Sequence, residues 1–225
     1  MESRFAIATP RVVSASLIAD DAEYLVAQEP VEGPEANGTL AEAARLLTTQ
    51  PDAALTEAVR ILRADPDNVQ ALLLSAAALR LLDEPGRAAQ AEHDSLRASM
   101  QQPAVAQAAR ALNEGRADVA ERLIRPHLAA RPDDPVALRM IAAIARITGR
   151  HQEALPMLER ALELVPSYAP ARQDLAEVFV KLSRHEEALG QADFLLAMEP
   201  EHPLYLELRA NILNAMGGDQ PAASD

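Results

Sequence analysis

The fold is decided by two stretches of similar sequence, LELVP at residues 162–166 and LAMEP at residues 196–200. Their prolines lie 200 − 166 = 34 residues apart, which is the period of a helix–turn–helix repeat. The same interval leads back to Pro132 and, with a slip, to Pro66. Because proline cannot continue a helix, we expect each of these residues where one hairpin ends and the next begins. The recurrence predicts an array of helical hairpins.

Small residues keep the same period. Ala120, Ala154 and Ala188 follow one another at intervals of 34 residues. One register held across three consecutive units is a stronger signal than any single alanine in an alanine-rich chain. The second unit runs short, and its helix junction at residues 83–86 is expected to be irregular. We place the units at 35–68, 69–100, 101–134, 135–168 and 169–202, followed by a half unit from residue 203.

Each unit has the composition that a pair of packed helices requires. Within 135–168, apolar residues recur three or four positions apart, which places them on one face of a helix. Gly149 ends the first helix because glycine adopts the left-handed conformation without a steric clash, and the small residues Ala142 and Ala154 let the two backbones approach closely. One hairpin cannot bury its apolar face alone. We therefore predict an all-α protein, a right-handed α-solenoid of helix–turn–helix repeats over residues 35–216, whose stacked units enclose a concave groove.

The sequence of the fourth unit resembles the tetratricopeptide repeat (TPR) family. GRHQEA at 149–154 and ALELVP at 161–166 are similar to the turn and the second helix of the family's consensus. The resemblance extends over roughly residues 35–216 and is weaker in the first two units, where Thr49 and Asp83 replace the usual turn glycine. It implies a scaffold that binds a partner polypeptide in the groove of the superhelix.

A narrower resemblance suggests an alternative function. RLIRPHL at 122–128 and DPVALRM at 134–140 are similar to the N-terminal TPR array of bacterial TPR-sulfotransferase fusions. This resemblance implies a non-catalytic portion of a sulfotransferase that recruits or presents substrate. The phosphosulfate-binding loop of such enzymes has no match in this sequence.

The resemblance also implies where the binding groove lies, because the first helices of TPR units line the concave face. These positions are mostly apolar here and end in two arginines, which suits a protein or peptide partner with an apolar or amphipathic segment. The Lys and Asn clamp with which some family members hold acidic C-terminal tails is missing. The predicted groove residues are Leu73, Leu74, Val105, Ala109, Arg139, Met140, Ala143, Arg146, Gln173 and Glu177.

The two ends of the chain depart from the array. Residues 1–34 show no repeat, and two interpretations remain open: a frayed tail, or a helix docked on the solenoid that covers the groove. Residues 217–225 are expected to form a disordered tail.

The half unit is apolar around much of its circumference, although a terminal helix should be polar on its outer face. Three explanations remain open: contact with a partner or a second copy, separation from a longer protein, or a poorly capped end. Under the first explanation, a homodimer forms through an edge contact made by Leu208, Ile212 and Met216.

Composition and charge exclude several classes of function. The 225-residue chain has a formal net charge of −13 and a single lysine, Lys181, which disfavours binding to nucleic acid or to an anionic membrane. It contains no cysteine, which excludes disulfides, thiolate catalysis and Cys-ligated zinc. His151 and His185 lie a full repeat apart, too far to share one metal ion. We predict no catalytic residue, no metal and no cofactor, and hence no enzymatic activity for this chain.

The sequence also bears on location. No stretch approaches the roughly 20 apolar residues of a membrane span. Near the N-terminus, Pro10 and Arg11 interrupt the apolar residues, which disfavours a secretory signal. We therefore expect a cytoplasmic protein.

Overall fold

The structure is a computed structural model that describes residues 39–218. The predictions for residues 1–34 and for the tail at 217–225 lie outside these residues, except that Gly217 and Gly218 belong to the last helix. Within the described part, every regular element is an α-helix, which confirms the predicted all-α solenoid of helical hairpins. The helices are α1 (Leu40–Leu46), α2 (Pro51–Ala64), α3 (Val69–Leu81), α4 (Pro85–Gln101), α5 (Pro103–Asn113), α6 (Ala117–Ala130), α7 (Pro135–Ile147), α8 (His151–Leu164), α9 (Ala169–Lys181), α10 (His185–Met198) and α11 (Pro203–Gly218).

The helices fall into pairs that follow the 34-residue period. Each of the five units contains a first and a second helix, and α11 is the first helix of the half unit. Four of the links between units are four residues long and carry a proline at their second position. These prolines are Pro66, Pro132, Pro166 and Pro200.

Four of the five hairpin turns share one backbone conformation. Asp83, Gly115, Gly149 and Ser183 all have positive φ angles, of 59°, 72°, 77° and 59°. This left-handed residue reverses the chain between the first and second helix, as expected for a helix C-terminus. The expected irregularity at residues 83–86 is therefore wrong, because Asp83 adopts the conformation that glycine has in the neighbouring units.

The non-glycine residues in these turns provide a first test. We expect Ser183→Gly to raise the free energy of unfolding by about 1 kcal/mol, because glycine removes the steric cost of a left-handed residue. Gly149→Ala should lower it by a similar amount, and the open space around a Cβ at this position means that the loss comes from the backbone alone. Urea denaturation followed by circular dichroism measures both changes. Shifts of the same sign in the two variants would contradict the shared turn geometry.

The core consists of alanine contacts between helices and of larger aliphatic residues between units. Ala120, Ala154 and Ala188, which revealed the repeat, are fully buried. The largest fully buried side chains include Ile124, Ile144, Leu158, Leu195 and Ile212. Except in the first unit, the two helices of a unit make the most extensive contacts, and every second helix apart from α4 also packs extensively against the next first helix.

The stacking is irregular between the second and third units. Helix α4 has 17 residues, where the other second helices have 14, and Gln102 alone links it to α5. The four-residue proline turn is missing at this link. As a result α4 makes few contacts with α5 and packs also against α7, the first helix of the fourth unit.

Buried polar residues on α4 hold this arrangement in place. The carboxylate of Glu92 accepts hydrogen bonds from Arg80 and from the hydroxyl and backbone amide of Ser167, in the link before the fifth unit. Further along α4, the Ser99 hydroxyl donates to the carboxylate of Asp134, the N-terminal cap of α7. Helix α4 is thus tied to the fourth unit across the third.

Candidate functional site

The irregular stacking brings distant units together around a cleft of about 460 Å³. Its walls are formed by α1 and α3 on one side and by α8, with the turn before α7, on the other. Pockets that hold small molecules have volumes of about 300–1,000 Å³, and the cleft falls within this range. The lining residues are Leu40, Ala41, Ala44, Leu47, Gln70, Leu73, Leu74, Ala77, Arg80, Asp133, Arg160, Glu163 and Leu164.

The floor of the cleft is apolar. Leu73 is buried beneath it, whereas Leu74, Ala77 and Leu164 are only partly buried and present apolar surface to the opening. An apolar side chain placed here would remove these partly exposed surfaces from water, which is favourable by about 25 cal/mol per Å² of apolar area.

The rim of the cleft is charged but neutral as a whole. Arg160 forms ion pairs with Asp133 at 2.7 Å and with Glu163 at 2.9 Å. The hydrogen bonds that Arg160 donates to Glu163 and to Asp133, in that order of importance, raise the pKa of its guanidinium above the usual value. The two arginines and two carboxylates among the lining residues cancel formally, and Arg80 also pairs with Glu92, which does not line the cleft. The charged side chains of the rim are thus already paired within the chain.

Most of the predicted groove residues in the fourth and fifth units form a separate ionic ladder between α7 and α9. The Arg139 Nε donates to Asp174 at 2.6 Å, and Arg146 donates to Glu177 at 2.7 Å while lying 3.5 Å from Asp174. Gln173 also contacts Glu177, at 3.5 Å. Both arginines are therefore occupied within the chain, and neither offers a free guanidinium to the carboxylate of a ligand.

Burial and charge act in opposite directions on Arg139. Burial alone would lower the pKa of this guanidinium, but the neighbouring Asp174 and Tyr168 outweigh it and raise the pKa above the usual value. Burial has the opposite effect on Tyr168, whose phenol is neutral when protonated, and raises its pKa; the ring lies 5.9 Å from the Arg139 guanidinium. The raised pKa values keep Arg139 charged and Tyr168 neutral at neutral pH.

The predicted groove is thus divided. Leu73 and Leu74 lie in the cleft, and Arg139, Met140, Ala143, Arg146, Gln173 and Glu177 lie on the partly exposed faces of α7 and α9. Ala109 is half-buried on α5, and α3 makes few contacts with α5. The prediction that Val105 lines the groove is wrong, because Val105 is 1% exposed and belongs to the core.

Sequence reasoning missed two parts of the cleft. The residues from α1 recur at helical spacing, and that periodicity could have identified them. The residues from α8 lie on a second helix of the fourth unit, and only the closure of the superhelix brings them near α1 and α3.

The prediction that Leu208, Ile212 and Met216 form an edge for contact with a second copy also needs correction. Ile212 is fully buried within the chain, and Leu208 and Met216 pack partly buried against the same core. They join α11 to the solenoid, mainly to α10, and do not form an open edge.

No group of three or more His, Asp and Glu side chains within residues 39–218 is arranged to hold a metal ion. Among the described helices, none is long and apolar enough to cross a membrane.

Comparison with known proteins gives partial matches. A curated relative, cellulose synthase operon protein C of Pseudomonas fluorescens (strain SBW25), is 27% identical over 101 residues, which are 45% of this chain and 8% of the relative. This chain therefore matches less than a tenth of that protein's length.

Solved structures with similar folds share little sequence. A chain of the APC/C hetero-tetramer Cut9-Hcn1 is 18% identical with a TM-score of 0.49, covering 79% of this chain and 36% of that one. YrrB, a TPR protein with an unusual peptide-binding site, is 18% identical with a TM-score of 0.45, covering 76% and 90%. MamA residues 41 to the end, from Desulfovibrio magneticus RS-1, are 18% identical with a TM-score of 0.42, covering 76% and 99%.

Family models match the chain directly. Residues 105–169 match one tetratricopeptide repeat model, and residues 145–212 match a second. Together with the helical hairpins at a 34-residue period, these matches identify residues 105–212 as tetratricopeptide repeats.

Proposed function

We propose that this protein is an interaction scaffold that holds an apolar or amphipathic segment of a partner polypeptide in the cleft between α1, α3 and α8. The observation that carries the proposal is the pairing of a partly exposed apolar floor with a rim whose charges are already matched within the chain. Such a site gains affinity from burying apolar side chains rather than from forming new ion pairs.

The chemistry of the cleft also limits the ligand. A strongly charged segment would have to compete with Asp133 and Glu163 for Arg160, and each exposed ion pair contributes little to affinity. An amphipathic segment can place apolar side chains against Leu74 and Leu164 and keep its polar face in water, as helices and extended peptides do in apolar grooves. Presentation of substrate to a sulfotransferase, the alternative drawn from the sequence, gains no support from these residues.

A peptide library provides a direct test. The full chain is immobilised and a random phage-displayed peptide library is selected against it. We expect enriched peptides with two or more large apolar residues at regular spacing and little net charge. A failure to enrich any peptide, or enrichment of uniformly acidic or basic peptides, would contradict the proposal.

The position of the site is tested with two leucines of α3. Leu74 lines the cleft, whereas Leu81 is 58% exposed and lies outside it. Leu74→Glu should weaken binding of a selected peptide at least about a hundredfold, because it places an unpaired charge in an apolar contact. Leu81→Glu should leave the affinity unchanged. Calorimetry with circular dichroism of both variants measures the effect, and equal affinities would place the site elsewhere.

A further inference from the structure

The last described helix, α11, carries an apolar stripe that no other described helix covers. Leu206, Ala210 and Leu213 lie three or four residues apart, so they share one face of the helix. Leu206 is 48% exposed, Leu213 is 41% exposed, and Ala210 is also exposed. We call these three residues the α11 stripe. It lies about a third of a turn around the helix from Tyr205 and Ile212, the buried residues that attach α11 to the solenoid.

The repeat shows what normally covers this surface. Two units earlier, 68 residues before the stripe, the equivalent positions belong to α7, whose own second helix packs against it. All three equivalents are buried there. They are Leu138, Ala142 and Ala145. The α11 stripe is therefore a surface shaped to receive a helix, and no second helix follows α11 within the described residues.

We propose that the α11 stripe is the contact surface of a homodimer in which the α11 helices of two copies pack antiparallel. The stripe is self-complementary, because Leu206 lies four residues before Ala210 and Leu213 three residues after it. A twofold axis near Ala210 lays Leu206 of one copy against Leu213 of the other. Twofold dimers are the commonest soluble homo-oligomers. In this dimer the α11 helix of the second copy runs antiparallel to the first, as the second helix of a hairpin runs antiparallel to its first helix.

The charges beside the stripe agree with this arrangement. Glu207 lies three residues before Ala210 and Asn214 four residues after it, on the same side of the stripe. The twofold axis therefore brings the Asn214 amide of one copy to the Glu207 carboxylate of the other. On the opposite side, Arg209 donates to Asp193 of its own chain at 2.6 Å, so its charge is already matched near the axis.

The contact is small, which sets the expected strength. One helix from each copy buries less than the roughly 1,200–2,000 Å² of a standard stable interface. We therefore expect a reversible dimer that dissociates on dilution. Because each copy carries a net charge of −13, the measurement requires enough salt to screen the repulsion between copies.

Sedimentation equilibrium of the full chain over a wide concentration range tests the proposal. Wild type should pass from monomer to dimer as the concentration rises. Leu213→Glu should weaken association at least about tenfold, because it brings a charge into the centre of the contact. Leu204→Glu is the matched control: Leu204 is 56% exposed on the same helix but outside the stripe, so this variant should associate as wild type does.

A gain of affinity tests the antiparallel geometry. Asn214→Lys should strengthen the dimer, because it places an ammonium opposite the Glu207 carboxylate of the other copy at two symmetric places. Circular dichroism confirms that each variant is folded. A protein that stays monomeric at all concentrations, equal effects of Leu204→Glu and Leu213→Glu, or weaker association of Asn214→Lys would each overturn the proposal.

Discussion

Asp134→Ala is expected to lower the free energy of unfolding by about 3–5 kcal/mol, because one side chain satisfies four buried groups. Its Oδ1 accepts hydrogen bonds from the backbone amides of Val136 and Ala137, at 3.1 Å and 3.0 Å, and from the hydroxyl of Ser99. Its Oδ2 lies 2.8 Å from the His127 Nε2. Alanine would remove the cap of α7 and leave the buried Ser99 and His127 without this partner. Urea denaturation followed at 222 nm measures the loss.

Asn68→Ala is the matched control for this prediction. Asn68 occupies the same capping position before α3, where its side chain accepts a hydrogen bond from the backbone amide of Ala71 at 3.1 Å. It has no equivalent of the buried contacts to Ser99 and His127, so its replacement should cost only about 1 kcal/mol, as expected for a cap. If the two variants lost equal stability, the buried network would contribute nothing beyond capping.

The same network shows which structural features the sequence could predict. Helices α7, α9 and α11 begin at 135, 169 and 203, at the intervals of 34 residues that the period predicts, whereas α3 begins at 69, which is 66 residues before α7. A repeated pattern is predictable because equivalent positions in neighbouring units make equivalent contacts between helices and therefore carry similar residues. The contact between His127 and Asp134 is not repeated, and nothing in the period distinguishes His127 from a surface histidine.

The position of the candidate site was harder to predict for a related reason. Leu73 and Leu74 follow from the spacing within one helix, but Arg160 and Leu164 reach the cleft only because α4 packs against the fourth unit. That packing depends on the missing proline turn at Gln102. The sequence shows that the second unit is short, but it does not show that α4 therefore packs against α7. Local patterns predict which face of a helix is apolar, whereas the pitch of the superhelix depends on contacts between distant units.

The inward face of α11 can be identified from the 34-residue period. The helical spacing of Leu208, Ile212 and Met216 shows that they share one face of α11 but does not show whether that face is inward. The residues 34 and 68 positions before Ile212 are Val178 and Ile144, and both are fully buried within complete units. Comparison of equivalent positions, rather than the spacing alone, identifies the inward face.

Ala154→Leu is expected to destabilise the array by about 3 kcal/mol, at the upper end of the usual cost of overpacking a core. Ala154 on α8 and Ala142 on α7 are both completely or almost completely buried, and these two helices make extensive contacts. A leucine adds three carbon atoms where no space exists, so the hairpin must open or its backbone must shift.

Ala129→Leu controls for the substitution itself, because Ala129 is exposed on α6 and leucine is nearly as good a helix former as alanine. Chemical denaturation should therefore shift the midpoint strongly for Ala154→Leu and hardly at all for Ala129→Leu. Because neighbouring units stabilise one another through their interfaces, Ala188→Leu, at the equivalent buried position one unit later, should show a comparable loss. An unchanged midpoint in both buried variants would mean that these alanines do not set the distance between the helices.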